Sequence, residues 1–420
     1  MGRGTGKRVL VVMELGSNWG HLLRMRPVVQ ALQQEGFGVT VAATDLAAAQ
    51  KLWSSSDVEL VRCPGVPDQH RLKLGPEIVC YAQILDRMVF GDETMLARTL
   101  DQWRVLLSQV RPDALLADFA PGASLVAHLH CLPLVRLNSG WEAPVFDECL
   151  PIFRRGSSWD RARVMRLEAD IVRRLNRACL ASGAHAFENL SGLYDVGRLL
   201  LATWPELDHF APRRLDVEYI GPIYSSDYGR AVDWLEQNPS THRKRIWLYL
   251  APDSRNAVIV KALKLLPVDV IAVMPGLRAD IAAQLRSSSW EIHGEPVRLD
   301  RLLTRTDLVV SNGGQGVLAA CLTAGVPMLL MPLTVEQAHM ADKLSRTSSA
   351  ISQMPVGKSL QNRLAEQISR LLRDTAPKTD AGDFARKYKA CTRNAQLTCI
   401  AEAVNQAMAE LHLEAPHLIP

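Results

Sequence analysis

Apolar runs and amphipathic stretches alternate along the first third of the chain. A continuous apolar run spans residues 7–14, a glycine-containing loop follows at 15–21, and the amphipathic stretch 22–35 ends at a glycine. A second apolar run at 37–44 completes a strand–helix–strand unit, which predicts a sheet that begins parallel. The same order recurs over residues 111–137. We therefore expect a doubly wound first domain.

A second series of the same kind begins at residue 246. Apolar runs predict strands at 246–250, 268–274, 308–311 and 327–331, and helical patterns occupy 261–266, 281–286, 361–372 and 401–411. A chain of 420 residues is too long for one ordinary core, so two domains are expected. The predicted organisation is a first domain at 1–224, a linker at 225–245, a second domain at 246–395 and a last segment at 396–420.

Composition and charge change this picture little. With 48% hydrophobic and 22% charged residues the chain is typical of a soluble globular protein. The net charge is only +4, and no clustered basic face is evident beyond Arg243–Arg245, which we interpret as a solvated edge of the linker. The sequence therefore predicts no nucleic-acid binding.

The cysteines and the N-terminal residues point to a reducing compartment. Eight cysteines show no CxxC pair, so we expect them to be reduced and mostly buried. His128 and His130 sit in an apolar helix end, which favours core or surface histidines over a metal site. No apolar run approaches the ~20 residues that span a bilayer, and the polar start lacks a secretion signal. We predict a cytoplasmic protein that does not cross a membrane, with a peripheral membrane contact left open.

A glycine-rich stretch at 307–332 carries the strongest motif. An apolar strand at 308–311 leads into a turn with Gly313, Gly314 and Gly316, a helix of about two turns ends at Gly325, and a strand follows. Such a turn brings backbone N–H groups to the start of a helix, where they attract phosphate.

The same stretch resembles the donor-binding signature of GT-B glycosyltransferases related to the UDP-glycosyltransferases and to bacterial antibiotic (macrolide) enzymes. That signature runs roughly H-G-G-x-G-T-x-x-E-A-L-x-x-G-V-P, then P and D/E-Q. The matching residues are Gly313, Gly314, Gly316, Leu322, Gly325, Val326, Pro327, Pro332, Glu336 and Gln337. Asn312, Val317 and Ala320 replace the family's His, Thr/Ser and Glu. Segments 186–208 and 217–223 are similar to the end of the family's acceptor domain.

The resemblance implies an α/β GT-B fold, with two facing Rossmann-like, doubly wound parallel-sheet domains and a last helix that crosses back to the first. It assigns the acceptor to the first domain. There the segments 65–91 and 140–158 lack a clear period and are rich in proline, glycine and aromatic residues. We place these segments, with Trp19, Trp141 and Phe146, on the acceptor side. The alternative is ordinary surface loops with buried aromatic residues.

His21 and Asp118 are the candidate catalytic pair. Inverting glycosyl transfer needs a base that takes the acceptor proton, and a histidine suits neutral pH. His21 follows Gly20 after the first strand, at the position of the family's catalytic histidine, and Asp118 ends a strand of the same sheet. A carboxylate there would fix the histidine tautomer. Alternatively, His21 is a helix N-terminal residue and Asp118 a helix cap.

The resemblance also implies donor contacts in the second domain. The donor-binding candidates are Asn312, Gly313, Gly314 and Gly316 at the diphosphate, Glu336 and Gln337 at the sugar, and Ser254 as a compensating group. For Glu336 a helix N-cap role is the alternative. Asn312 can still donate one hydrogen bond, whereas Val317 and Ala320 cannot supply what the family's residues supply.

The prediction is an inverting transferase that moves a sugar from a nucleotide-diphosphate donor, of the UDP type, to a small hydrophobic natural-product or lipid acceptor. It needs no cofactor and no metal, comes from a bacterium, and is a monomer or homodimer. A catalytically weak or inactive glycosyltransferase-like partner or activator is the alternative, because three donor positions depart from the family pattern.

Overall fold

The computed structural model describes residues 6–16, 19–54, 56–65, 78–153, 159–213, 217–232, 234, 243–254, 256–354 and 360–414. Its internal contacts divide the chain into two compact units. Unit 1 combines Met1–Ile223 with Cys391–Pro420, and unit 2 is Tyr224–Ala390. The described part of the predicted linker therefore groups with unit 2, and the C-terminal segment groups with unit 1.

Unit 1 is built on a sheet whose seven described strands all run parallel, in the order β3-β2-β1-β4-β5-β6-β7. The strands are β1 Arg8–Met13, β2 Gly38–Ala43, β3 Glu59–Arg62, β4 Ala114–Asp118, β5 Leu134–Asn138, β6 Arg198–Leu201 and β7 Glu218–Tyr219. Val9 to Met13 in the inner strand β1 are fully buried, as expected for a strand covered by helices on both faces. The predicted doubly wound sheet is confirmed.

Helices cover both faces of this sheet. They are α1 Trp19–Gln34, α2 Leu46–Leu52, α3 Tyr81–Met88, α4 Glu93–Val110, α5 Pro121–Leu129, α6 Arg161–Ser182, the short α7 Gly192–Asp195 and, from the C-terminal segment, α15 Arg393–Glu414. On one face Trp103 of α4 packs with Leu10, Leu115 and Val126 in the buried core. The helix α15 packs on α1 and on β4, β5 and β6.

Unit 2 repeats the architecture with six described parallel strands in the order β10-β9-β8-β11-β12-β13. The strands are β8 Lys244–Tyr249, β9 Val268–Val273, β10 Trp290–His293, β11 Leu308–Ser311, β12 Met328–Leu330 and β13 Ile351–Gln353. The helices are α8 Asn256–Leu263, α9 Ala279–Leu285, α10 Leu299–Leu302, α11 Gln315–Thr323, α12 Val335–Thr347, α13 Leu360–Arg373 and α14 Ala376–Lys387. Two parallel-sheet α/β units agree with the predicted fold class.

Three local expectations differ from the structure. The predicted helix 22–35 is present as α1 but begins at Trp19, so the end of the predicted loop 15–21 is helical and His21 lies in the first turn of α1. The predicted loop 65–91 contains the helix α3, although its residues 66–77 lie outside the described part. The basic tripeptide, expected as a solvated edge of the linker, is exposed at Arg243 and Lys244, but Lys244 and Arg245 belong to β8 and Lys244 pairs with Asp307. No helix of the described chain is long and apolar enough to cross a membrane.

Candidate functional site

The strand order of unit 1 places a crevice between β1 and β4. Successive connections leave these neighbouring strands in opposite directions along the sheet, and ligands of open parallel sheets bind at that point, beyond the carboxyl ends of the strands. Met13, the last residue of β1, pairs in register with Asp118, the last residue of β4. The residues that follow β1 and the side chain of Asp118 therefore share one edge of the sheet.

The structure brings His21 and Asp118 together at this edge. The Nδ1 atom of His21 lies 3.1 Å from Oδ2 of Asp118. Asp118 is fully buried, while the His21 side chain keeps 16% of its surface exposed. A Cβ at Gly16 would lie 2.5 Å from Cγ of His21, so only glycine lets the imidazole take this position. The ring of Phe119 stacks beside the imidazole, with 6.3 Å between centroids.

Two further charged residues complete the cluster. The Nη2 atom of Arg24, on the same helix as His21, lies 3.0 Å from Nδ1 of His21 and 3.2 Å from Oε1 of Glu142. It also donates a short hydrogen bond to Oδ1 of Asp118. Glu142 is held in turn by Ser139, whose backbone N–H lies 2.7 Å from Oε2 of that carboxylate. Four ionisable side chains from three segments of unit 1 thus form one connected network.

The electrostatics of the network keep Arg24 and Glu142 charged. Burial by itself raises the pKa of Glu142, but the positive charge of Arg24, followed by His21 and hydrogen bonds from the backbone and Ser139, lowers it to about 2. Burial acts to lower the pKa of Arg24, and the charges of Asp118 and Glu142 outweigh it, so this pKa lies above its ordinary value. A buried cation between two carboxylates satisfies both.

The same cluster has the donor atoms of a metal site. One atom each from His21, Asp118 and Glu142 lie within 4.8 Å of one another. However, the guanidinium of Arg24 already stands against all three residues and supplies their positive charge. A divalent cation would have to displace it, so the residues present do not fit a metal.

The aromatic residues assigned to the acceptor side occupy different environments. Trp141 is buried and stacks on Phe153 and Phe210, with centroid distances of 4.8 Å and 5.8 Å. Phe146 is half-buried against Tyr194, and Trp19 is half-buried at the start of α1. Trp141 therefore matches the alternative of a buried aromatic residue, whereas Trp19 and Phe146 keep accessible surface.

In unit 2 the glycine turn lies at the corresponding point of the sheet, between β8 and β11. Gly313 has a φ of +83°, a conformation that favours glycine, and Gly314 is the N-cap of α11. A Cβ at Gly314 would meet nothing within 4 Å, so the space over the helix N-terminus is open at that residue. The first amides of a helix have no intrahelical acceptor, which makes this end of α11 suited to an anion.

The side chain of Asn312 is committed to the protein. Its Oδ1 atom accepts a hydrogen bond from the N–H of Ala251 at 2.7 Å, and its Nδ2 atom donates to the carbonyl of Met331 at 2.9 Å. Ala251 follows β8 and Met331 follows β12. Asn312 therefore ties three neighbouring strand ends together, and these two bonds leave one of the two hydrogens on Nδ2.

The start of helix α12 accounts for the role of one residue of the Glu336–Gln337 pair, because Gln337 caps this helix. Its N-cap is Thr334 and not Glu336, so the N-cap alternative for Glu336 was wrong. Oε1 of Gln337 accepts from the N–H groups of Leu333 and Thr334, forming a capping box with Thr334. Only the Nε2 side of Gln337 is left to face a ligand. Ser254 is exposed in the turn after β8.

No protein-family model matches the chain. The PGL/p-HBAD biosynthesis rhamnosyltransferases of Mycobacterium bovis and Mycobacterium tuberculosis are 24% identical to it over 263 residues. That match covers 59% of this chain and spans only 57% of the length of those relatives.

Solved structures match over nearly the whole chain. The glycosyltransferase VinC in complex with dTDP has a TM-score of 0.69 at 21% identity, covering 96% of this chain and 100% of VinC. The spinosyn rhamnosyltransferase SpnG complexed with thymidine diphosphate has a TM-score of 0.67 at 19% identity, covering 94% of this chain and all of SpnG. SnogD from Streptomyces nogalater has a TM-score of 0.62 at 20% identity, with 97% and 100% coverage. The chain has the GT-B fold of these glycosyltransferases.

Sequence reasoning found His21 and Asp118 but missed Arg24 and Glu142. Arg24 follows His21 by three residues, so both lie on one face of α1. A charged residue among the apolar residues of that face was the available signal. Glu142 offered none, because it lies 118 residues from Arg24 in a loop without a period.

Proposed function

We propose that this protein is an inverting glycosyltransferase that moves a deoxysugar of the rhamnose type from a thymidine diphosphate donor to a hydroxyl group of a small apolar acceptor. The observation that carries the proposal is the contact between His21 and Asp118 at the carboxyl edge of the first sheet. The likeness to VinC and SpnG, whose structures hold thymidine diphosphate, favours thymidine over the uridine that the sequence suggested.

The reaction asks for a base and for a group that holds the leaving diphosphate. The acceptor oxygen attacks the anomeric carbon, the bond from that carbon to the diphosphate breaks, and its electron pair leaves with the nucleoside diphosphate. The hydroxyl proton passes to Nε2 of His21, and Asp118 stabilises the imidazolium that forms. Attack from the face opposite the leaving group inverts the anomeric configuration.

On the donor side, backbone amides carry the proposed contacts. The N-terminus of α11, approached by Gly313, Gly314 and Gly316, would bind the diphosphate. The replacement of polar family residues by Val317 and Ala320 does not affect these amides. Glu336 and the free side of Gln337 would meet sugar hydroxyls, and Ser254, exposed after β8, is a further candidate.

No metal enters this proposal. Arg24 already provides the positive charge between the carboxylates of the base cluster. In unit 2 the helix pole provides the attraction for the diphosphate. On the acceptor side, Trp19 and Phe146 would contact an apolar natural product or lipid, and Trp141 would support them from the buried cluster.

A second candidate is a binding or activator protein that retains the fold without turnover. It is favoured by one observation, the hydrogen bonds of Asn312 to Ala251 and Met331, which use its Oδ1 atom and one of its two Nδ2 hydrogens. Such a protein would bind thymidine diphosphate through α11 but release none from a donor.

Release of nucleoside diphosphate from a panel of thymidine and uridine sugar donors, with apolar alcohol acceptors, separates the two candidates. We expect turnover that falls about 10²–10⁴-fold in His21→Ala and is insensitive to a chelator. His185→Ala, an exposed histidine of the same unit, serves as the matched control and keeps full turnover. Equal turnover in His21→Ala and the control would overturn the assignment of the base, and nucleotide binding without turnover on any donor would favour the activator.

A further inference from the structure

The hydrogen-bond capacity of Arg24 limits what it can give to His21. Its Nη2 atom carries two hydrogens. Two carboxylate oxygens compete for them, Oδ1 of Asp118 through a short hydrogen bond and Oε1 of Glu142 at 3.2 Å. Nδ1 of His21 lies 3.0 Å from the same atom. Because both hydrogens have charged acceptors, the neutral imidazole is the weakest of the three hydrogen-bond acceptors.

This arrangement decides which ring nitrogen of His21 carries the proton. If Arg24 donated to Nδ1, the neutral ring would hold its proton on Nε2, and Nε2 could not act as a base. With the hydrogens of Arg24 taken, Nδ1 keeps its own hydrogen and donates it to Oδ2 of Asp118, 3.1 Å away. Nε2 then carries a lone pair.

We infer that Arg24, held by Glu142, is a positioning residue that holds Asp118 against Nδ1 of His21 and balances the charge around the ring. This inference rests on the proposed function only for its catalytic meaning, since the tautomer itself is a property of the free protein. Arg24 lies on the helix that carries His21, so the spacing of three residues builds the base and its positioning group into one rigid element.

Charge balance gives the inference a measurable form. Three charged groups lie against His21, namely Arg24 from α1, Asp118 from β4 and Glu142 from the loop after β5. They sum to one negative charge. Removing Arg24 leaves two buried carboxylates, which favour the imidazolium, whereas neutralising Glu142 leaves no net negative charge and disfavours it.

The experiment is a pH titration of the full-length chain labelled with ¹⁵N-histidine, with His21 assigned by the signals lost in His21→Ala. In the unaltered protein we expect the neutral ring to carry its proton on Nδ1. The midpoint of the His21 titration should rise by about 1 pH unit or more in Arg24→Met and fall by a similar amount in Glu142→Gln. The double variant should return to within a few tenths of the unaltered value.

Arg174→Met is the matched control, because it breaks a part-buried ion pair with Asp86 that joins α6 and α3 in the same unit. It should leave the midpoint unchanged. Shifts of equal sign in the two single variants, no shift in either, or a ring protonated on Nε2 would overturn the inference. Glu142→Gln keeps the side-chain shape and decides the matter if Arg24→Met does not fold.

Activity is measured separately on the same variants. The acidic limb of the kcat/KM profile should follow the NMR midpoints in direction and size. If the midpoints move as expected while no donor supports turnover, the proposed function fails and the positioning role of Arg24 stands. If turnover is present but the midpoints stay fixed, the positioning role fails and the transferase stands.

Discussion

Glu14, the residue after β1, carries a fully buried carboxyl group of which only one oxygen is hydrogen-bonded in the described structure. Its Oε2 atom accepts from the N–H of Gly122 at 2.6 Å, and its Oε1 atom has no hydrogen-bond partner in the described structure. A Cβ at Gly122 would lie 2.2 Å from that oxygen, so the close approach requires glycine. Burial outweighs the helix amides of Gly122 and Ala123 and raises the pKa of Glu14 to about 8.

This raised pKa predicts a loss of stability with rising pH. Between about pH 5 and 8 the unfolded chain ionises Glu14 while the folded chain keeps it protonated, so the folded state binds more protons. The free energy of unfolding then falls by about 1.4 kcal/mol for each pH unit in this window. In Glu14→Gln the contribution disappears. We expect urea midpoints of Glu14→Gln to gain on the unaltered protein between pH 5.5 and pH 8.

The control for this prediction is Glu188→Gln, an exposed carboxylate in the same unit. Its midpoint should differ from that of the unaltered protein by the same amount at both pH values. A gap for Glu14→Gln that does not widen toward pH 8 would show that Glu14 is ionised in the folded state.

At the same scale, the sequence predicted the pair of reacting residues but not their surroundings. His21 and Asp118 each follow or end an apolar run, and parallel strands bring such positions to one edge. The network behind them depends on Glu142, whose place is set by loop packing and by Ser139. No periodic pattern encodes a loop of this kind.

Among the elements, β8, β11 and β12 are joined at their ends by Asn312. We expect Asn312→Ala to destabilise unit 2 by about 2–4 kcal/mol, because one buried and one part-buried hydrogen bond are lost and their backbone partners are left unsatisfied. Binding of thymidine diphosphate should weaken as well, since the following glycine turn loses its anchor. Chemical unfolding and calorimetric titration measure the two effects.

Thr323→Ala is the comparison for Asn312→Ala. It removes a hydroxyl that donates to the carbonyl of Ala319 on the exposed side of α11, with a smaller expected cost. An Asn312→Ala protein as stable as Thr323→Ala, with unchanged nucleotide affinity, would contradict the anchoring role.

Element by element, strands were predicted well and helices unevenly. The apolar runs of β1, β8 and β11 are buried on both faces, and such runs are easily recognised in the sequence as strands. The sequence predicts the start of α1 at residue 22, after a loop that includes Gly20, whereas the helix begins three residues earlier at Trp19. The capping box of α12 can be recognised in the sequence as Thr334-x-x-Gln337.

Helix α15 covers the sheet of unit 1, although the whole of unit 2 separates it from that sheet in the sequence. Ile400, Val404 and Met408 are buried, and together they contribute on the order of 5 kcal/mol by burial of apolar area. We expect Val404→Asp to remove hydrogen-exchange protection from β4, β5 and β6, because it places a charge on the covered face. Residues 256–354 should keep their protection.

Glu402→Ala, two residues away on the exposed side of α15, is the control and should leave both units protected. Protection of β4 that survives Val404→Asp would mean that the sheet is stable without its C-terminal cover. The return of the last helix was anticipated from resemblance and not from its own pattern.

The discontinuity of unit 1 has a consequence for how the chain is made. Unit 2 is an insertion between Ile223 and Cys391 in the covalent order, so a ribosome finishes it before the first sheet receives its final helix. The surface of β4, β5 and β6 that α15 covers therefore stays exposed in nascent unit 1 while about 170 further residues are synthesised. A circular permutant that begins at Cys391 and joins the old termini would let that helix emerge first and shorten the wait.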